Sequence, residues 1–342
     1  MRISTLAESL GIRPKPYRIL TLDGGGVRGI IPVLWLERLE KYLGGPVYTH
    51  FDLIAGTSVG AILGCAFAQG MTASEVRAMW LDAAHTAFAR PVGWRDHARR
   101  AAFAVGAGTK YDGHNLSVLL RSVFGTHRMG DLARPTLALS YDIQTQRVHV
   151  FSSVREDHRD LPVWEVCRAS AAAPLFFDAH MMVVDSTGAR HPMIDGGVTA
   201  NNPVVLAISE AVSSAGAQRG MRLENVVVAS FGTGEAPEGK PTAPKTIFGH
   251  GSTILQALLS GATGTDHVTA RTLLPAHSYW RFQTAIAARL EALDRIESID
   301  ELQAIAMARL ADGMDHRLDQ LARRLQGRSL DRQPWERLRA SE

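Results

Sequence analysis

The stretch FDLIAGTSVGAILGCAFAQ, residues 51–69, decides the fold. Phe51 to Ala55 is a short apolar run that suits a buried strand, and it stops at Gly56. Val59 to Gln69 reads as a buried helix. Between them stands Gly56-Thr57-Ser58-Val59-Gly60, a G-x-S-x-G with no room for a loop. A strand that turns at once into a helix holds its middle serine on a sharp, strained turn, and the flanking residues must be small to avoid the neighbouring backbone. The helix N-terminus then directs free N–H groups and the positive end of its dipole at the serine oxygen. A glycine-rich turn with a capping serine has the same local pattern, so the pentapeptide alone does not choose between the two. The uncharged run from Leu53 to Ser74 is long enough to span a bilayer. Gly56, Gly60, Gly64 and Gly70 inside it fit strand, turn and helix instead.

Upstream, Tyr17 to Leu22 is a β-prone run stopped by Asp23-Gly24-Gly25-Gly26-Val27-Arg28-Gly29. A helix follows, with Pro32 in its first turn and Val33, Leu36, Leu39 and Leu43 at helical spacing. Consecutive glycines let several backbone N–H groups converge on one anion. Three uses compete for this loop. A phosphate loop needs Gly-Lys-Ser/Thr, and Ile30-Ile31 stands there. Gly24, Gly26 and Gly29 match G-x-G-x-x-G, but no convincing strand with a ribose-binding acid follows. The third use is an oxyanion hole for Ser58, with Arg28 adding positive charge.

Downstream, Thr72 and Glu75 form a capping box opening a helix to about Ala84. Strands are predicted at 136–143 and 147–151, a helix from Pro162 to about Ala173, a strand running into Asp195, a helix from Pro203 to Ala215 and a strand from Val226 to Phe231. Residues 235–253 read as a long loop, and about Gln283 to Leu325 as helical. This alternation predicts an α/β sandwich with a largely parallel sheet. Asp195-Gly196-Gly197 follows an apolar strand end, where catalytic side chains of open α/β sheets gather; alone, Asp-Gly-Gly is equally a turn.

The bulk composition is that of a globular chain: 342 residues, 46% hydrophobic, 21% charged, net charge +3. That balance carries no field of the strength that nucleic-acid polymers select. Cys65 and Cys167 are too few and too far apart for a disulfide framework or a zinc site, and no H-x-x-x-H or H-E-x-x-H occurs among the thirteen histidines. The N-terminus lacks the apolar core of a signal peptide, so a cytoplasmic location is expected.

DGGGVRG, GTSVG and DGG, in this order and at these intervals, resemble the patatin-like phospholipase family. Arg168 to Phe177 (RASAAAPLFF), Asn201-Asn202-Pro203 and Phe231-Gly232-Thr233-Gly234 extend the resemblance over about residues 17–283. It implies a three-layer α/β/α sandwich over 17–283, after an extension of residues 1–16; the segment after about Arg289 is not explained by it, and the helical periodicity there predicts a helical region at 284–342 packed on the sandwich. It also implies a Ser58–Asp195 dyad, an oxyanion hole from Gly24, Gly25 and Gly26 with Arg28, and structural roles for Gly56, Gly60, Gly196 and Gly197. The implied activity is metal-free and cofactor-free release of fatty acids from membrane glycerophospholipids. Partners would be a phospholipid surface, met peripherally, and, for the bacterial anti-phage group within the family, a cyclic dinucleotide activator. A Ser-His-Asp triad would instead need His250, His267, His277 or His316 near Asp195. Residues 90–110, with Arg90, Arg95, Arg99, Arg100 and Lys110 among aromatic residues, read as a basic cover over the site or as a solvated face.

Overall fold

The computed structural model describes residues 16–88, 94–104, 107–184, 187–213, 221–236 and 247–328. Its centre is a sheet of eight strands: β1 (Tyr17–Leu22), β2 (Leu53–Thr57), β3 (Thr136–Asp142), β4 (Arg147–Ser152), β5 (His180–Val183), β6 (Arg190–Asp195), β7 (Val226–Phe231) and β8 (Tyr279–Phe282). The order is β5-β6-β3-β2-β1-β7-β8, with β4 paired to β3. The run β3-β2-β1-β7-β8 is parallel, while β4 and β6 pair antiparallel with β3, and β5 with β6.

Alternation along the central strands separates two cores. On one face Leu20, Leu22 and Ile54 join Trp35, Leu63 and Phe67 from α1 (Ile30–Leu43) and α2 (Val59–Gln69). On the other, Ile19, Leu53 and Val228 meet Val204, Ala207 and Ile208 of a helix spanning Val204–Val212. Helices on both faces of a mostly parallel sheet make the three-layer sandwich expected from the sequence.

In chain order the further helices are α3 (Ala73–Ala87), α4 (Trp94–Ala104), α5 (Gly113–Phe124), α6 (Val163–Ser170), the short α7 (Gly197–Ala200), α8 (Val204–Val212), α9 (Ile247–Leu273), α10 (Ile299–Arg309) and α11 (Asp315–Leu325). The capping box forms as read: the Thr72 N–H donates to Glu75 Oε2 at 2.8 Å and the Glu75 N–H to Thr72 Oγ1 at 3.4 Å.

Two expectations need correction. The loop predicted over 235–253 is helix from Ile247, and α9 runs for 27 residues. Glycine and threonine dilute its helix propensity, and Leu255, Thr263 and Ala270 bury their side chains against the body of the protein. The helical reading from Gln283 to Leu325 holds only from Ile299; residues 283–298 carry short 3₁₀ turns and run beside the glycine loop.

The helices α10 and α11 dock on α1. Trp35, fully buried, donates its indole N–H to the Ala306 carbonyl at 3.0 Å. Arg38 holds both carboxylate oxygens of Asp315 at 2.6 and 3.0 Å. Trp35→Phe keeps an aromatic ring but removes this hydrogen bond and leaves a small void, while the Ala306 carbonyl keeps the Leu310 N–H of its own helix, so a loss of about 1–3 kcal/mol is expected in urea unfolding. A loss under about 0.5 kcal/mol, the range of a neutral surface change, would show that α10 docks without this bond.

Candidate active site

Register places the two residues singled out at the strand ends. Along one edge of β3, β2 pairs from Thr136 to Leu139, with Thr57 opposite Leu139. The next residue, Ser140, pairs with Asp195 at the end of β6. Since β4 occupies the other edge of β3, β6 takes up the edge where β2 leaves it. Ser58, the first residue past β2, therefore meets the last residue of β6. Its Oγ donates to Asp195 Oδ2 at 2.5 Å.

Ser58 sits at φ 57, ψ −125, a backbone state that L-residues seldom adopt. Its N–H donates to Ser170 Oγ at 2.9 Å, and Ser170 in turn donates to the Leu139 carbonyl. Its glycine neighbours are there for space. A Cβ on Gly56 would stand 2.1 Å from the Gly60 carbonyl oxygen, and one on Gly60 would stand 2.2 Å from that of Leu22. Gly196 likewise lies against the Leu139 carbonyl, where a Cβ would come within 2.5 Å.

Asp195 is buried, and its Oδ1 accepts the Gly197 N–H at 2.8 Å. Burial pushes its pKa from the ordinary 3.8 up to about 6, against the opposing pull of the hydrogen bonds from Ser58 and Gly197. A carboxylate with that pKa is a better proton acceptor than a solvated aspartate and still ionised at neutral pH.

The glycine loop between β1 and α1 sits beside Ser58, but its groups divide unequally. The Gly24 N–H is engaged with the Asn201 carbonyl at 3.0 Å. The N–H groups of Gly25 and Gly26 have no partner among the described residues, and both glycines line the cavity at Ser58. Their orientation is set from behind. The Gly24 carbonyl accepts from Thr233 Oγ1 at 2.8 Å, and the Gly25 carbonyl from the Arg28 Nε at 3.2 Å. In a trans peptide the N–H opposes the C=O, so each pinned carbonyl aims the following N–H the other way.

Arg28 differs from expectation. Its guanidinium also donates to the Gly234 carbonyl at 2.8 Å, and it does not line the cavity at Ser58. Burial lowers its pKa to about 10. It braces the loop, whereas the sequence suggested a charge in the oxyanion hole. Gly24 likewise offers its carbonyl to Thr233 and its N–H to Asn201, leaving two of the three expected amides open.

Five further residues shape the loop without a role assigned to them from the sequence. Thr233 and Asn201 hold the glycine loop, and Leu293 caps it: its carbonyl accepts the Val27 N–H at 2.8 Å, and a Cβ on Gly26 (φ +55) would stand 2.0 Å from it. Asp23, at the start of the loop, is buried in an ion pair with both guanidinium nitrogens of Arg281, at 2.9 and 2.5 Å. No local signal marks Leu293 or Arg281, because each comes from a segment hundreds of residues away in the chain.

Ser58 and Asp195 stand at an apolar cavity walled by residues such as Ile62, Met79, Leu116, Phe88, Phe176 and Leu259. Its wall suits a hydrocarbon chain. Among the described residues, no histidine is hydrogen-bonded to Ser58 or Asp195. His267 contacts the Tyr279 hydroxyl at 3.1 Å and His316 contacts Gln320 at 3.1 Å. No hydrogen bond is shown for His277, and the side chain of His250 lies outside the described residues.

Residues 94–104 form α4, while 89–93 and 105–106 lie outside the described residues, as do the side chains of Trp94 and Arg95. Arg99 bonds Asp112 at 3.2 Å, Arg100 lies over the Tyr111 ring, and Lys110 pairs with Asp294. Tyr111 stacks on Phe176 in the cavity wall. The described cations of this segment, Arg99, Arg100 and Lys110, are thus matched to acids or rings beside the cavity wall.

Residues 20–208 match the family model described as patatin-like phospholipase. Patatin-like protein 2 of Oryza sativa subsp. indica is 31% identical over 215 residues, 57% of this chain and 53% of the relative. Patatin-like protein 2 of Arabidopsis thaliana is 30% identical over 214 residues, 57% and 52%. The cGAMP-activated phospholipase of Pseudomonas aeruginosa (strain BWHPSA011 / Pa011) is 32% identical over 199 residues, 57% and 56%. The chain spans about half the length of the curated relatives it matches. The matched span contains the glycine loop, the elbow and the Asp195 turn, and on this ground the chain belongs to the patatin-like phospholipase family.

Proposed function

We propose that this protein is a lipid acyl hydrolase in which Ser58 is the nucleophile and Asp195 its base. The observation that carries the reading is the 2.5 Å contact between Ser58 Oγ and a buried Asp195, set at the apolar cavity. Family membership supports the same conclusion.

In this mechanism the acyl chain of a glycerophospholipid lies in the cavity with its ester carbonyl at Ser58. Ser58 Oγ attacks the carbonyl carbon as its proton passes to Asp195 Oδ2. The oxyanion forms against the Gly25 and Gly26 N–H groups. Its collapse breaks the ester C–O bond, and Asp195 returns the proton to the departing lysolipid oxygen. Water then attacks the acyl-enzyme, gives a proton to Asp195, and the fatty acid leaves as Ser58 recovers its hydrogen. The N-terminal half of α9 supports an approach to lipid. Leu255 and Leu259 line the cavity, while Ile254 and Leu258 on the same turns are 60% and 45% exposed. No described helix is long and apolar enough to cross a membrane, and contact with the bilayer is proposed to be peripheral.

A second reading keeps this chemistry and adds control: a membrane-degrading, anti-phage effector switched on by a cyclic dinucleotide. The Pseudomonas relative named for activation by cGAMP favours it. Fatty-acid release from phospholipid vesicles, with and without cyclic dinucleotides, separates the two readings. A rise of tenfold or more with the nucleotide identifies the switched form, and an unchanged rate the unswitched one.

The dyad is tested by substitution. Ser58→Ala and Asp195→Asn should each lower kcat by at least about 10³, and the double variant little further, because the two groups act as one unit. A fluorophosphonate should label Ser58 alone. An active Ser58→Ala variant would end the assignment.

The pKa of Asp195 predicts the pH profile. Only the carboxylate accepts a proton, so kcat/KM should fall about tenfold per pH unit below about 6 and level off above it. The same burial costs stability. Raising a carboxyl from 3.8 to about 6 means that the folded state binds the proton more tightly than the unfolded one, so stability declines as pH rises through that window. The loss amounts to roughly 3 kcal/mol at most. Asp195→Asn should therefore raise Tm at pH 8 and give little advantage at pH 4. An equal effect at both pH values would mean that Asp195 is not strained by its charge.

The pinned carbonyl gives a further test. Thr233→Val removes the hydroxyl that orients the Gly24–Gly25 peptide and should reduce kcat about 10- to 100-fold with little change in KM, since the lost interaction acts on developing charge. A change in KM alone would assign Thr233 to substrate binding.

A further inference from the structure

At the free edge of the sheet, β8 lies between the C-terminal turns of α9 and the helix α11. His267, Arg271, Tyr279, Arg281 and Arg317 line an open groove there. Arg271 and Arg317 have no acidic partner among the described residues. Arg317 instead lies over the Phe282 ring and donates to the Arg281 carbonyl at 3.1 Å. The contrast with the basic segment near the cavity is direct: there Arg99 meets Asp112 and Lys110 meets Asp294.

Among the described residues, the acids within electrostatic reach do not neutralise the groove. Asp23 is spent on Arg281. Burial raises the Asp266 carboxyl to about 7, so much of it is uncharged at neutral pH. Glu235 acts on His267 only as the weakest of the influences on it, while burial, Arg281 and Arg271 hold that imidazole below its usual range. A neutral His267 leaves two guanidinium groups, on facing elements, as the charges open to a ligand. Guanidinium forks match phosphate oxygens in geometry and charge.

We propose that this groove between α9, β8 and α11 binds a phosphate-bearing anion through Arg271 and Arg317. The site lies apart from Ser58 but is joined to its surroundings. Arg281, whose backbone carbonyl holds Arg317, reaches with its side chain to Asp23, and Asp23 precedes the first glycine of the loop beside Ser58. An anion here pulls on the same residue that anchors the loop. Binding in the groove does not depend on the hydrolase reading; its effect on turnover does.

The test is made on the full chain carrying Ser58→Ala, so that binding is read without turnover. The probes are inorganic phosphate and a cyclic dinucleotide by titration calorimetry, and phosphatidylcholine vesicles with and without phosphatidylglycerol by co-sedimentation. At least one probe is expected to bind saturably. Arg271→Gln is expected to weaken that binding about tenfold and Arg271→Glu further; Arg271 is exposed, so neither change disturbs the core. Response to the cyclic dinucleotide identifies a soluble nucleotide as the source of the phosphate, and response to phosphatidylglycerol alone a lipid headgroup. Failure of every probe to bind, or equal binding by both variants, overturns the proposal. Loss of hydrolysis in the otherwise wild-type chain bears on the dyad and leaves this result intact.

Discussion

The site depends on one constraint: β2 and β6 share a single edge of β3. Thr57 ends the first pairing opposite Leu139 and Asp195 begins the second opposite Ser140. The chain leaving β2 must turn upward at that point, and it does so through Ser58 at φ 57. Such a conformation is unfavourable alone by about 1–3 kcal/mol. Here it is over-determined by the Ser58 N–H bond to Ser170, by the Gly56–Gly60 contact and by α2, which packs at once on the sheet. The serine and the aspartate are brought together by strand register, with little left to side-chain flexibility.

The glycine loop follows the same economy. Its amides face the cavity because their carbonyls are held elsewhere, one by Thr233 and one by Arg28. The loop is rooted by the buried Asp23–Arg281 pair and capped by Leu293. Each support arises from a different part of the chain: the turn after β7, the edge strand β8 and the segment before α10. Removing one partner of a buried, paired charge such as Asp23 or Arg281 leaves the other unpaired in a medium of low dielectric, which typically costs 3–5 kcal/mol. Leu293, in the segment before α10, is thus part of what shapes the glycine loop.

The same division explains Arg28. Next to a glycine run, an arginine reads naturally as a positive charge for an anion. In the folded chain it bonds the carbonyls of Gly25 and Gly234, which satisfies a buried guanidinium. Its charge then acts on the backbone of the loop, which is a shape-defining role.

What the sequence determined by itself is local. The alternation of short apolar runs with helical periods implied the layered α/β sandwich, while G-x-S-x-G and Asp-Gly-Gly, each alone equally a turn, pointed to an elbow and to Asp195 only when read together in their order along the chain. These are decided within a few residues, by steric limits on φ and ψ and by the need for small side chains, and so they are readable in order along the chain. Only the tertiary structure decided that Gly24 would lose its amide to Asn201, that Thr233 and Leu293 would hold the loop, and that α9 would be helical despite its glycines. Those outcomes depend on contacts between residues far apart in sequence, where burial and the pairing of every buried polar group override local preference.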